Sequence, residues 1–165
     1  MTANMEERRS GSNEVIDKML SERSELLSTY CGLAGVTVGD KQTDADIQRF
    51  CEILTDYTAF VHFEIYERMI DGRERRQAVM EEGKRLYAQI TELTQILLVF
   101  IDDFADMTGD IDREKLHTDL NALGEVLAAR FELEDQILHA IRGVWAALTQ
   151  KPVSPLSILP RLKID

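Results

Sequence analysis

Hydrophobic residues recur every three or four positions along most of this 165-residue chain, which is the spacing of one face of an α-helix. The pattern predicts four long helices, at about residues 13–34, 43–72, 73–105 and 112–148. Capping and helix-ending residues lie near these boundaries, and the three prolines all follow residue 150. The sequence therefore predicts an all-α protein.

Four long helices with short connections favour an antiparallel bundle with up-down-up-down topology. A short extra helix at the N terminus is an open alternative. Residues 1–150 are predicted to form a single helical-bundle domain. Residues 151–165 form a Pro-rich tail, which could dock on the bundle through Leu156, Ile158 and Leu159.

Charge and apolar content narrow the class of protein. The chain carries 30 acidic and 19 basic side chains, for a formal net charge of −11, which argues against direct binding to nucleic acid. A basic protein partner stays open, and simple solubility is the plain alternative. The N-terminal stretch is polar and the longest apolar run, "ILLVFI" at 96–101, is too short to cross a bilayer. We expect a cytoplasmic protein without membrane contact.

Cysteines and histidines give little support to a catalytic or metal site. Cys31 and Cys51 have neither a CxxC nor a zinc spacing, so we expect both to be reduced, buried and small-hydrophobic in role. A carboxylate-bridged di-iron bundle needs two Glu-x-x-His motifs, and this chain has one, Glu114 to His117. No cofactor or metal is expected, although a degenerate metal bundle without a working site is one alternative.

No other sequence motif indicates an enzyme. A phosphotransfer histidine would need small and basic neighbours, whereas His62 lies between Val61 and Phe63 and precedes Glu64. The sequence also lacks a Gly-rich phosphate loop and a nucleophile motif. We therefore predict a non-enzymatic protein.

The second helix is apolar on two opposite sides. One stripe, from Ile47 to Ile65, has the spacing of a core face. At about 100° per residue the opposite side carries Asp56, Ala59, Phe63 and Tyr66. A helix of this kind is either covered on both sides or binds a partner. Helix one could supply the cover, in whole or in part.

A short pattern occurs in both helix two and helix four, as "HFEIYERMI" at 62–70 and "RFELEDQIL" at 130–138. Within the second copy, Arg130 and Glu134 fall inside an apolar stripe, where an unpaired charge would be costly. We predict a buried polar network that joins these two residues to His62 or Glu64 of helix two. Its expected role is to fix the register of the bundle rather than to perform chemistry.

Three separated segments resemble one known family: "RGSNEVIDKMLSERSELL" (9–27), "FCEILTDYTAFVHFEIYERMI" (50–70) and "LGEVLAARFELEDQIL" (123–138). They are similar to the regulator of sigma D (Rsd/AlgQ) family of bacterial anti-sigma factors. The resemblance implies a four-helix bundle that binds region 4 of the primary sigma factor. It also implies that binding keeps this sigma factor from core RNA polymerase and promoter DNA, and so regulates transcription in stationary phase.

The resemblance also indicates where the sigma factor would bind. It maps the family's contact surface onto Asp56, Ala59 and Phe63 of helix two, and onto a segment of helix one that includes Asp17, Lys18, Met19 and Leu20. Tyr66 joins the predicted surface because it shares the outward face of helix two. Two positions depart from the family pattern: Met19 replaces a tryptophan, and Ala59 replaces a small polar residue.

The leading interpretation is therefore a monomeric anti-sigma factor that forms a 1:1 complex with the primary sigma factor. The main alternative is a helical-bundle adaptor for another basic protein. Both interpretations share the acidic charge and the apolar outer face of helix two.

Overall fold

The structure is a computed structural model that describes residues 3–35, 43–67, 77–106, 109 and 111–149, with side chains from residue 13 to residue 140 apart from 78 and 79. Four long helices make up this part of the chain. They are α1 (Ala3–Ala34), α2 (Asp44–Val61), α3 (Gln77–Phe104) and α4 (Arg113–Thr149). A π-helical turn, His62–Tyr66, continues α2.

The predicted all-α fold is confirmed, and the described residues contain no strand. One boundary was predicted wrongly, because α1 begins at Ala3 and not near Asn13. Residues 3–9 are mostly good helix formers, which outweighs the cost of Gly11 within the helix. The predicted end of helix two, the predicted start of helix three and the Pro-rich tail lie outside the described residues.

Side-chain caps fix the starts of two helices. At α2, the Thr43 hydroxyl accepts from the backbone N–H of Asp46, and the Asp46 carboxylate accepts from the N–H of Thr43. This reciprocal pair is a capping box. At α4, one Asp112 carboxylate oxygen accepts from the backbone N–H groups of Glu114 and Lys115. Each cap satisfies N–H groups that have no partner within the helix.

Each helix packs most extensively against two others, so that α1 and α3 each pack against both α2 and α4. Helices α3 and α4 run antiparallel. Arg85, in the first half of α3, donates to Gln136 in the second half of α4, and Asp103, at the end of α3, accepts from Lys115 at the start of α4. Aromatic rings fill one end of the core, where Phe50 packs edge-on against Phe100 at 5.9 Å between centroids.

One close approach between helices depends on a glycine. The Tyr30 hydroxyl of α1 donates to the Leu120 carbonyl of α4 at 2.8 Å. A Cβ atom at Gly124 would lie only 2.1 Å from the same hydroxyl oxygen. The absence of a side chain at this position therefore lets the Tyr30 ring lie against α4.

The two cysteines differ from each other in environment. Cys51 is buried in the core, where burial raises the pKa of its thiol to about 11. The prediction that Cys31 is also buried was wrong, since it lies exposed near the end of α1. Within the described residues, none of the helices is long and apolar enough to cross a membrane.

Candidate functional site

A cluster of charged side chains lies in the middle of the bundle and joins all four helices. Arg23 of α1 donates from Nε to the Tyr57 hydroxyl of α2 at 3.2 Å and from Nη2 to Glu134 Oε2 of α4 at 2.9 Å. Its Nη1 donates to Asp135 Oδ1 at 2.5 Å. Three groups on two helices, α2 and α4, thus hold one buried guanidinium of α1.

Glu134 is the centre of this cluster. Its Oε2 also accepts from the Tyr57 hydroxyl, and its Oε1 accepts from Arg130 Nε at 2.8 Å. Arg130 in turn donates from Nη1 to Thr94 Oγ1 of α3 at 2.8 Å. Arg130 and Glu134 are 0% and 1% exposed. Two arginines and two carboxylates, counting Asp135, neutralise one another.

The cluster shifts the ionisation of the groups within it. Burial alone would lower the pKa of Arg23 and Arg130, but the negative Glu134 and the nearby phenol oxygens raise both values overall. Burial and the charge of Glu134 raise the pKa of Tyr57 and Tyr66 well above the ordinary tyrosine value. The arginines therefore stay charged and the phenols stay neutral.

The structure corrects the predicted membership of the buried network. Arg130 and Glu134 lie together in the core, but His62 and Glu64 are exposed and outside the cluster. Their places are taken by Arg23, Tyr57 and Thr94. The sequence feature that could have identified Arg23 as a member is its position. It interrupts the apolar 3–4 spacing of α1 between Met19 and Leu26, as Arg130 does in α4.

The π turn at His62–Tyr66 explains why Glu64 points away from the core, whereas His62 would lie about 100° from Val61 in a regular helix as well. The backbone N–H of Glu67 donates to the carbonyl of His62, five residues earlier, so the turn contains one residue more than an α-helical turn. Tyr66 is buried as a result, next to Ile65, which a regular helix would also bury. His62, Phe63 and Glu64 form three consecutive exposed residues.

Two residues assigned to the predicted contact surface are instead in the core. Tyr66 is 3% exposed because the extra residue in the turn rotates it inward from the direction that a regular helix would give. Met19 is 1% exposed because it lies on the core stripe of α1 with Ile16 and Leu26. Neither side chain is available on the surface of this structure.

The other predicted contact residues are accessible on α1 and α2. Asp17 and Asp56 are exposed, whereas Leu20 and Ala59 are partly buried. Phe63 is 57% exposed, with the His62 ring edge-on to it at 5.0 Å between centroids. The structure thus leaves a large aromatic side chain in solvent beside acidic residues, and helix one covers the outer side of α2 only in part.

Sequence reasoning missed a contact between α1 and α2 at this surface. The Nζ atom of Lys18 lies over the ring of Phe60, 4.7 Å from its centroid. Phe60 is partly buried and packs against the core, and Lys18 covers one face of its ring. The only sequence features that indicated this contact were the Asp17-Lys18 pair in α1 and the Ala59-Phe60 pair in α2.

A second group of exposed apolar side chains lies on α3. Ile96, Leu98 and Val99 are 47%, 42% and 59% exposed. They provide a reference against which the α1–α2 surface can be tested. In the described part of the chain, no three His, Cys, Asp or Glu side chains are placed to hold a metal ion.

The four described helices form an all-α bundle, and the match to a family model assigns it to a class of regulatory proteins. Residues 1–142 match the model of the family described as "Regulator of RNA polymerase sigma(70) subunit, Rsd/AlgQ". The chain belongs to this Rsd/AlgQ family, which confirms the resemblance found in its sequence.

Curated relatives cover most of the chain. The Regulator of sigma D of Yersinia enterocolitica serotype O:8 / biotype 1B is 35% identical over 149 residues, covering 87% of this chain and 88% of that protein. The Regulator of sigma D of Yersinia pseudotuberculosis serotype O:1b is 34% identical, covering 83% and 85%. That of Salmonella paratyphi A is 31% identical, covering 84% and 88%.

Proposed function

We propose that this protein is an anti-sigma factor that binds region 4 of the primary sigma factor through the outer surface of α1 and α2. Binding would keep region 4 from core RNA polymerase and from promoter DNA, and so favour other sigma factors in stationary phase. The protein would act in the cytoplasm, as a monomer in a 1:1 complex. Family membership supports the regulation of sigma(70), and the surface supports the mode of binding.

The observation that carries the proposal is the exposure of Phe63. A phenylalanine that is 57% exposed on a helix otherwise packed into a core leaves apolar area in water, which binding would remove. Aromatic residues also provide many of the dominant contacts in protein interfaces. Phe63 is therefore the expected apolar anchor of the contact.

Charge supports the same surface. A domain that reads promoter DNA is basic, and this chain has a net charge of −11. Asp17 and Asp56 are exposed close in sequence to the partly buried Leu20 and Ala59. An apolar centre with an acidic rim complements a basic helical domain, and rim charges mainly accelerate encounter.

The test is to measure binding of purified sigma region 4 to the wild-type protein and to two variants. Phe63→Ala should speed dissociation and weaken binding by ~2 kcal/mol or more, with the salt dependence unchanged. Asp56→Asn should slow association and reduce the salt dependence, because it removes a steering charge. Stopped-flow or surface-plasmon kinetics at several salt concentrations separate the two effects.

Val99→Ala is a matched control, because Val99 is 59% exposed but lies on α3. It should leave the kinetics unchanged, and all three variants should keep the wild-type melting curve. Loss of binding with Val99→Ala but not with Phe63→Ala would move the site to α3. If the wild-type protein captures other basic proteins but not region 4, it is an adaptor and the proposal is wrong.

A further inference from the structure

Phe60 lies at the centre of the proposed surface but is not free in this structure. It follows Ala59 and lies one helical turn from both Asp56 and Phe63 along α2. The Nζ atom of Lys18 lies 4.7 Å from the centre of its ring. An ammonium group at this distance from an aromatic face makes a cation–π contact. One face of Phe60 is therefore occupied by a positive charge from the same chain.

We infer that the face of Phe60 is a subsite for an arginine side chain of the partner, and that Lys18 occupies this subsite in the free protein. The inference rests on the proposed function, because it assigns a role within the same surface. It predicts that Lys18 weakens binding even though it lies beside the acidic residues that attract a basic partner.

Lys18 is well placed to leave the ring. Its side chain is 61% exposed, and its other contact is with Glu22 Oε1 at 3.7 Å, one turn further along α1. The Glu22 side chain is 29% exposed, and an ion pair near the surface at this separation holds a side chain only weakly. Lys18 can therefore move to solvent while keeping Glu22 as a neighbour, and the Phe60 ring then becomes available.

The physical chemistry of the ring selects arginine. A guanidinium group is planar and less strongly hydrated than an ammonium, so it stacks on aromatic faces more readily. Asp56, one turn from Phe60, is exposed and can pair with the same guanidinium. The surface would thus combine a ring face with a carboxylate around one partner side chain.

A second lysine–phenylalanine pair in this chain serves as a control. Lys115 lies over the ring of Phe104 at 4.9 Å, but Phe104 is only 1% exposed. Two carboxylates also hold Lys115, from Asp103 at 2.9 Å and Asp119 at 2.5 Å. This pair has the same chemistry but lies where α3 ends and α4 begins, away from Phe63. We give it no role in binding.

The test measures the affinity of sigma region 4 for Lys18→Ala and Lys18→Arg. Lys18→Ala should bind roughly two- to fivefold more tightly than the wild-type protein, which corresponds to an exposed cation–π contact. Lys18→Arg keeps the charge but competes better for the ring, so it should bind more weakly than the wild-type protein. If Lys18→Ala is tighter and Lys18→Arg equals the wild type, only charge repulsion acts and the inference is wrong.

A double-mutant cycle with Phe60→Leu tests whether the effect passes through the ring. Leucine keeps the apolar contact with the core, and in this background Lys18→Ala should no longer tighten binding. Lys115→Ala should leave the affinity unchanged. If region 4 binds the wild-type protein but binds Lys18→Ala equally well or more weakly, the inference is wrong and the proposed function stands. Absence of wild-type binding to region 4 would overturn the proposed function, and this inference with it.

Discussion

Two tyrosines in the core differ in what their hydroxyl groups do. The Tyr57 hydroxyl accepts from Arg23 and donates to Glu134, so it connects two charged groups. The Tyr66 hydroxyl is equally buried, but among the described residues it has no hydrogen-bond partner. A buried polar atom without a partner costs free energy, whereas a satisfied one contributes to stability. The same substitution should therefore have opposite consequences at these two positions.

Tyr57→Phe should lower the free energy of unfolding by ~1–3 kcal/mol, because it leaves part of the charged cluster unsatisfied. Tyr66→Phe should leave stability unchanged or raise it, since it removes an unpaired hydroxyl and keeps the ring. Urea denaturation followed by circular dichroism measures both. An equal loss of stability in the two variants would show that Tyr66 is hydrogen-bonded in solution.

Gly124 permits a contact that the sequence pattern does not reveal. In an exposed helix, Gly→Ala normally stabilises by about 0.5–1 kcal/mol. Here the new Cβ would meet the Tyr30 hydroxyl oxygen at 2.1 Å, so Tyr30 must leave its position against Leu120. Gly124→Ala should therefore destabilise the protein by ~1–3 kcal/mol.

The comparison that isolates this contact uses Tyr30→Leu as the background. There the clash is absent, and Gly124→Ala should become neutral or stabilising in thermal denaturation. A destabilisation of the same size in both backgrounds would assign the cost of Gly124→Ala to another cause.

At the scale of single elements, helix existence was predictable and one local irregularity was not. The 3–4 spacing identified all four helices and the core stripe of helix two from Ile47 to Ile65. The π turn then adds one residue, which no feature of "HFEIY" signals. The extra residue changes the directions of side chains beyond Val61, which explains the wrong assignments of Glu64 and Tyr66. Ile65 and Phe63 are nevertheless buried and exposed as predicted. Met19 was assigned by family resemblance, although its own spacing placed it in the core.

The π turn can be tested by deletion, because it is equivalent to one extra residue in a regular helix. Deleting Glu64 should close the turn to an α-helical one and keep Val61, Ile65 and Tyr66 directed inward. Deleting Thr55, an exposed residue of regular α2, should instead rotate Tyr57 and Val61 out of the core by about 100°.

The Glu64 deletion should therefore retain a cooperative melting transition close to that of the wild-type protein. The Thr55 deletion should lose it, since large apolar side chains would leave the core. Similar melting curves for the two deletions would show that the π turn does not persist in solution.

For the whole molecule, the buried phenols predict how stability depends on pH. Folding raises the pKa of Tyr57 and Tyr66 above the ordinary value, because burial and Glu134 disfavour phenolate. In the unfolded chain these tyrosines ionise at about pH 10, whereas in the folded chain their phenols stay neutral to higher pH. Stability should thus be unaffected by them at lower pH and fall as pH rises above that value.

The measurement is urea denaturation from about pH 8 to about pH 11, with tyrosinate absorbance recorded alongside. Tyr66→Phe should lose less stability than the wild type over the alkaline part of this range, because one buried phenol is gone. If the two proteins lose stability in parallel, Tyr66 does not contribute to the alkaline transition.

The charged cluster has a consequence for how the bundle folds. Its members come from four helices, so an assembly that lacks one helix leaves at least one buried group of the cluster short of a hydrogen-bond partner. Such partial structures bury polar groups that are incompletely satisfied, which adds a cost that a wholly apolar core would not have. The cluster therefore acts as a checkpoint on assembly, which makes folding cooperative and disfavours long-lived intermediates with one helix undocked.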